Sequence, residues 1–159
     1  MPPSLPAAIN HVLLQRGYSE PVFLAQKQLC LLDVRPENGR FLIPQREIQQ
    51  QFLTEEEKTT LNNGGMIPIT LMNSEFSENN LTLRKLAVHD MFVGGVTSSY
   101  LLIRNGWNQV VLQNGLQPSN IVRLWSCRTP GNDVFFVFDV ERVQRDVSCL
   151  CARINHVLI

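Results

Sequence analysis

The chain has 159 residues, 44% hydrophobic and 18% charged, which suits one globular domain with a real core and not a wholly disordered segment. Fourteen Lys and Arg offset fourteen Asp and Glu, so the formal charge is zero; this counts against a broadly basic nucleic-acid-binding surface but not against a locally basic face. No run approaches the ~20 apolar residues of a membrane-spanning helix, and Met1-Pro2-Pro3-Ser4 lacks the basic and apolar regions of a secretory signal, so a soluble, intracellular, reduced protein is expected.

After the Pro-rich start, Ile9, Val12 and Leu13 have helical spacing and predict a short docked helix; Gly17 and Pro21 follow, and the folded region is expected from near Val22. Val22-Phe23-Leu24-Ala25 reads as a first strand. Residues 30–39 carry Asp33, Arg35, Pro36 and Asn38-Gly39, the turn chemistry of a loop or arm. Arg40-Phe41-Leu42-Ile43-Pro44 reads as a second strand closed by proline. Good helix formers in 45–53, with Ile48, Phe52 and Leu53 on one face, predict a helix there. Thr54-Glu55-Glu56-Glu57 is a capping box: Thr54 caps backbone donors while Glu57 reaches back, and Asn62-Asn63-Gly64-Gly65 ends the helix so started.

From Met66 onward the pattern is β. Ile67-Pro68-Ile69-Thr70-Leu71-Met72 is a strand whose proline favours an edge or a strand start. Asn79-Asn80 reads as a turn into 81–86, where Leu81 and Leu83 alternate with polar neighbours, and 93–99 reads as a flexible loop. Residues 100–125 then compress strand, turn, short helix (108–112), turn and strand, with Trp107 and Trp125 as core anchors. Pro130-Gly131-Asn132-Asp133 is a turn before the apolar strand Val134-Phe135-Phe136-Val137-Phe138, and 139–159 read equally as a last strand, a helix or a partner-binding tail. About seven short strands with two or three short helices predict a mainly β barrel or sandwich.

No catalytic or metal motif accompanies this pattern. Cys30, Cys127, Cys149 and Cys151 make no CxxC pair and no zinc-ligand spacing with His11, His89 or His156; Cys149 and Cys151 read as same-face neighbours in a strand. Gly94-Gly95 lacks the spacing of a phosphate-binding fingerprint, and Ser98, Ser99 and His89 lack a nucleophile elbow. The acidic run is helix-start chemistry. No enzyme activity, metal or cofactor is expected.

Several pieces in order carry a resemblance: residues 29–34 ending in Asp33-Val34, Arg40-Phe41-Leu42-Ile43-Pro44, Phe52-Leu53-Thr54-Glu55-Glu56-Glu57-Lys58, Leu81-Thr82-Leu83-Arg84-Lys85, Tyr100-Leu101-Leu102-Ile103 with Gly106-Trp107, Asn114-Gly115-Leu116, and Val122-x-Leu124-Trp125-Ser126. Together they resemble the plant-specific B3 DNA-binding domain, most closely a divergent plant subgroup with a Leu-Thr-Glu-Glu-Glu-Lys helix. The resemblance implies a seven-stranded open pseudobarrel over 22–140, flanked by extensions at 1–21 and 141–159. It also implies two arms that enter the major groove of double-stranded DNA, here 33–40 and 92–99.

On the first arm the implied DNA-binding residues are Arg35, Asn38 and Arg40, with Lys27 nearby for the backbone; Arg reads guanine edges, Asn reads adenine, and phosphate contacts fix register. For Arg35 and Arg40 the plainer reading is a solvated turn charge or a salt bridge to Asp33 or Glu37. The second arm holds no Arg or Lys and offers Thr97, Ser98 and Ser99, with Arg84, Lys85, Arg104 and Asn105 as neighbours. Arg84 and Lys85 are adjacent, so in a strand only one of them reaches a given face. Two functions follow from the resemblance: a nuclear regulator of plant transcription that binds specific duplex sequences, or a B3-like module with eroded DNA binding that self-associates or holds a protein partner through its terminal extensions.

Overall fold

The structure, a computed structural model, describes residues 3–90, 94–103 and 105–143, without the side chains of 89, 90 and 105. Seven strands form one sheet: β1 (Val22–Gln28), β2 (Arg40–Pro44), β3 (Ile67–Met72), β4 (Glu78–Asp90), β5 (Gly95–Ile103), β6 (Ile121–Arg128) and β7 (Val134–Glu141). Their order is β1-β6-β7-β3-β4-β5-β2, with every neighbouring pair antiparallel except β3 and β7. The sheet curls into a nearly closed, barrel-shaped structure whose free edges are β1 and β2. Lys27 Nζ on β1 donates to the Leu42 carbonyl of β2 at 2.6 Å, and in the segment after β2 the Gln49 N–H donates to the Leu24 carbonyl of β1 at 2.8 Å.

Strand alternation sends Phe41, Ile43, Leu81, Leu83, Tyr100, Leu102, Leu124, Phe136 and Phe138 into the barrel. β7 is apolar without alternation because both its faces are covered. Phe135 and Val137 point outward, against Met72, Cys127 and the buried Ile9 and Leu13 of helix α1 (Ala7–Gln15). Fully burying two such aliphatic side chains is worth roughly 1.5–3 kcal/mol each, which docks the N-terminal helix. Burial there also pushes the Cys127 thiol up to about 12, so it carries no nucleophilic thiolate at neutral pH.

Local signals hold where partners are close in sequence. Helix α3 (Glu55–Asn62) begins with the expected capping box: the Glu57 N–H donates to Thr54 Oγ1 at 3.1 Å, and the Thr54 N–H to Glu57 Oε1 at 2.8 Å. Pro68 lies in the stretch of β3 that pairs only with β4, since contact with β7 begins at Thr70. Trp107 and Trp125 are both buried, the first in helix α4 (Asn105–Asn114) and the second in β6.

Four expectations change. Residues 45–53 form only a 3-10 turn, Gln45–Glu47. Ile48 is extended beyond it, and Gln49 gives its N–H to β1 while Phe52 packs edge-on against Tyr100 at 5.5 Å. Asn79 and Asn80 are strand residues, opposite Leu71 and Thr70. The turn before them is built by Asn73, whose Oδ1 accepts from the Glu75 and Ser77 N–H groups, with Phe76 at φ 66°. The first arm opens with a turn of helix, α2 (Leu31–Val34), and residues 95–99 belong to β5, not to a loop.

Candidate nucleic-acid interface

Arm one leaves β1 at Leu29 and returns at Arg40, and it is pinned along its length. The Asp33 carboxylate, 4% exposed, accepts from Lys27 Nζ and from the Cys30 N–H, each at 2.9 Å. Its carbonyl accepts from Trp107 Nε1 at 2.7 Å. Asn38 Nδ2 donates to the Leu32 carbonyl and Asn108 Nδ2 to the Pro36 carbonyl, both at 3.1 Å. Gly39 closes the arm at φ 54°, a conformation that residues with a Cβ rarely adopt. The arm is therefore held from β1 on one side and from α4 on the other. Gly106 lets α4 approach so closely, because a Cβ there would meet the Asn80 carbonyl oxygen at 2.3 Å.

This anchoring settles which cations are free. Arg35 and Arg40 are exposed, and neither pairs with Asp33 or Glu37, because Lys27 has taken Asp33. The Lys27 ammonium, 20% exposed, also lies 5.2 Å from the Phe41 ring centre, so protein groups surround it. Glu37 stays exposed on the same arm and limits its positive excess.

The register of β2, β5 and β4 fixes what shares the outer face. Arg40 stands opposite Ile103 and then Thr82; Leu42 opposite Leu101 and then Arg84; Pro44 opposite Ser99 and then Leu86; beyond β2, Thr97 is opposite Val88. Arg84 is thus exposed on the face that holds Arg40, Ser99 and Thr97. Lys85 points the other way and donates to Asn62 Oδ1 at 2.8 Å. Ser98 also projects opposite to Ser99, across from Ala87. Arg104 lies outside the described residues, as do the side chains of Asn105 and His89; Cys149, Cys151 and His156 fall in the same undescribed part of the chain.

β4 loses β3 beyond Leu83 and β5 loses β2 before Ser99, so residues 87–90 and 95–98 pair only with each other. They form a two-stranded ribbon at the far end of the face from arm one. Its tip stands ~26 Å from the Ile103 end of β5 at ~3.3 Å per residue. A shape of this kind, two projections flanking the outer strand surface, was legible only in part. Lys27, Asp33 and Asn108 act as the supports of arm one, and the single sequence hint was an acid three residues after Cys30, at the spacing of a capping box.

Among the described residues, no group of three or more His, Cys, Asp and Glu is placed to hold a metal ion, and no helix is long and apolar enough to cross a membrane. Arg128, on β6, makes two bonds to the Glu57 carboxylate, at 2.5 and 2.8 Å, and one to the Phe52 carbonyl at 2.7 Å. The Arg128 guanidinium holds the Glu57 carboxyl below its ordinary range. This pair ties α3 to β6, and sequence spacing gave no sign of it.

The family model for the B3 domain-containing protein At2g31720-like matches residues 3–141. Among solved structures, the "Arabidopsis FUS3-DNA complex" aligns with a TM-score of 0.50 and 18% identity, over 77% of this chain and 100% of that one; at that identity the likeness is one of fold. No curated protein matches the chain.

Proposed function

The chain belongs to the B3 domain-containing family of the At2g31720-like type, and from that premise we propose that it binds double-stranded DNA through the major groove as a nuclear regulator of transcription. One observation carries the reading. Among the described residues, Arg16, Lys27, Arg46, Lys58, Arg123 and Arg128 are paired with carboxylates, while Lys85 and Arg142 bond neutral oxygens. Only Arg35, Arg40 and Arg84 are left without a partner, and all three lie on arm one and its adjoining face. Free guanidiniums gathered on one surface of a neutral protein suit a polyanion, whose phosphates fix the protein's position and whose guanine edges Arg can read.

In this reading Arg35, Asn38 and Arg40 address base edges and nearby phosphates. Arg84 and Ser99 track the backbone, joined by Arg104 and Asn105, and Thr97 meets the duplex from the β4–β5 ribbon. Ser98 and Lys85 contribute less, because they project from the opposite face. Lys27 acts as a positioning residue that holds arm one through Asp33. The protein is a binder and not an enzyme.

Selection of duplexes from a random pool, followed by fluorescence polarisation, tests this. Arg35→Ala and Arg40→Ala should each weaken the selected duplex by roughly 1–3 kcal/mol if they read bases. Binding that stays at the nonspecific level in low salt, unchanged by both substitutions, would overturn the proposal and favour a protein-interaction module.

A further inference from the structure

The β4–β5 ribbon poses a chemical question that the arginines do not answer. It projects from the barrel as two strands, a width that the ~12 Å major groove admits, yet no Lys or Arg occurs in the sequence between Lys85 and Arg104. Among its described residues the larger exposed side chains are instead β-branched: Val88, Val96 and Thr97. Val88 is 49% exposed and Val96 55% exposed, on opposite faces of the ribbon. Thr97, opposite Val88, gives its hydroxyl to the Val88 carbonyl at 3.3 Å, so the methyl is the uncommitted branch of an exposed side chain.

We propose that the Val88–Thr97 face of the ribbon selects thymine through its 5-methyl group, dividing the recognition task with the guanidiniums of arm one. The inference rests on the DNA-binding reading and deepens it. Three steps lead to it. Major-groove base edges present hydrogen-bonding groups and one apolar feature, the thymine methyl, which apolar side chains and the Thr methyl contact. The Val88–Thr97 pair continues the row that begins with Arg40 and includes Arg84, Leu86 and Ser99, so a duplex seated on Arg40 and Arg84 meets this face and not the Val96 face. Among the described residues packing gives no alternative use for Val88, since β4 has no strand partner but β5 at that point.

The test uses the full chain and a duplex enriched from a random pool, with each thymine replaced singly by deoxyuridine. This removes one methyl and leaves pairing and charge intact. At one or two positions the replacement should weaken binding about fourfold, the worth of one buried carbon. Val88→Ala should abolish that sensitivity and Val96→Ala should retain it. Val88→Thr, which keeps a β-branched strand residue, should preserve part of it and guards against a folding defect. An enriched duplex indifferent to every deoxyuridine, or a sensitivity unchanged in Val88→Ala, overturns the inference while DNA binding stands. Failure to enrich any duplex overturns both.

Discussion

Arg84 and Lys85 are chain neighbours of the same charge, and the pleat of β4 gives them different work. Arg84 stands exposed beside the Arg40 row, whereas Lys85 reaches Asn62 at the end of α3. Arg84→Ala should therefore weaken duplex binding across sequences and lower the slope of log affinity against log salt by about 1. Lys85→Ala should leave that slope unchanged; equal effects in a polarisation titration would show that the face is misassigned. A second residue-scale contrast concerns stability. Arg128 bonds a Glu57 whose folded pKa is depressed, so the pair's contribution is complete above the unfolded Glu value and fades as pH falls through the lower folded value. Glu57→Gln keeps the reach-back cap but loses the charge, and should cost roughly 1.5–3 kcal/mol at neutral pH. In urea melts the gap between wild type and variant should narrow towards pH ~3; a gap that widens on acidification would contradict the assignment.

Elements show why some of the chain could be read from sequence and some could not. The cap of α3 was legible because Thr54 and Glu57 are three residues apart and satisfy each other. Residues 45–53 misled because their helical propensity is outweighed by distant partners: the Gln49 N–H closes the barrel seam at Leu24, and Phe52 packs on Tyr100 and Phe136. Residues 95–99 looked like a loop since Gly, Thr and Ser favour turns, yet cross-strand pairing with 86–90 makes them a ribbon. The connection between β1 and β2 was expected from sequence, but its supports were not visible there, because one of them is a Trp 74 positions away. Trp107→Phe keeps most of the buried ring and removes the donor to the Asp33 carbonyl. Leaving that carbonyl unsatisfied should cost about 1–3 kcal/mol in chemical denaturation. Affinity for a selected duplex should fall as well, as the arm loses its anchor to α4. A variant with wild-type affinity and reduced stability would show that the arm's geometry does not depend on this bond.

At the scale of the whole molecule, the zero net charge and the DNA-binding reading stop conflicting once the pairing of charges is considered. A polyanion responds to cations that are free to approach it, and most cations here already have protein partners. Among the described residues the arginines available are Arg35, Arg40 and Arg84, and the proposed reading adds Arg104. Three or four phosphate contacts at about −0.9 each give a log–log salt slope between about −2.7 and −3.6. Between ~50 and ~200 mM salt, affinity should then fall by about 40- to 150-fold. A flat response would remove the arginines from the interface. A slope much steeper than about −5 would mean that Lys27 and Lys85 leave Asp33 and Asn62 when DNA binds. In that case the pairing that resolves the neutral charge would itself be a switch. Titrating Lys27→Gln alongside wild type separates these outcomes, since a lysine that only positions the arm changes affinity without changing the slope.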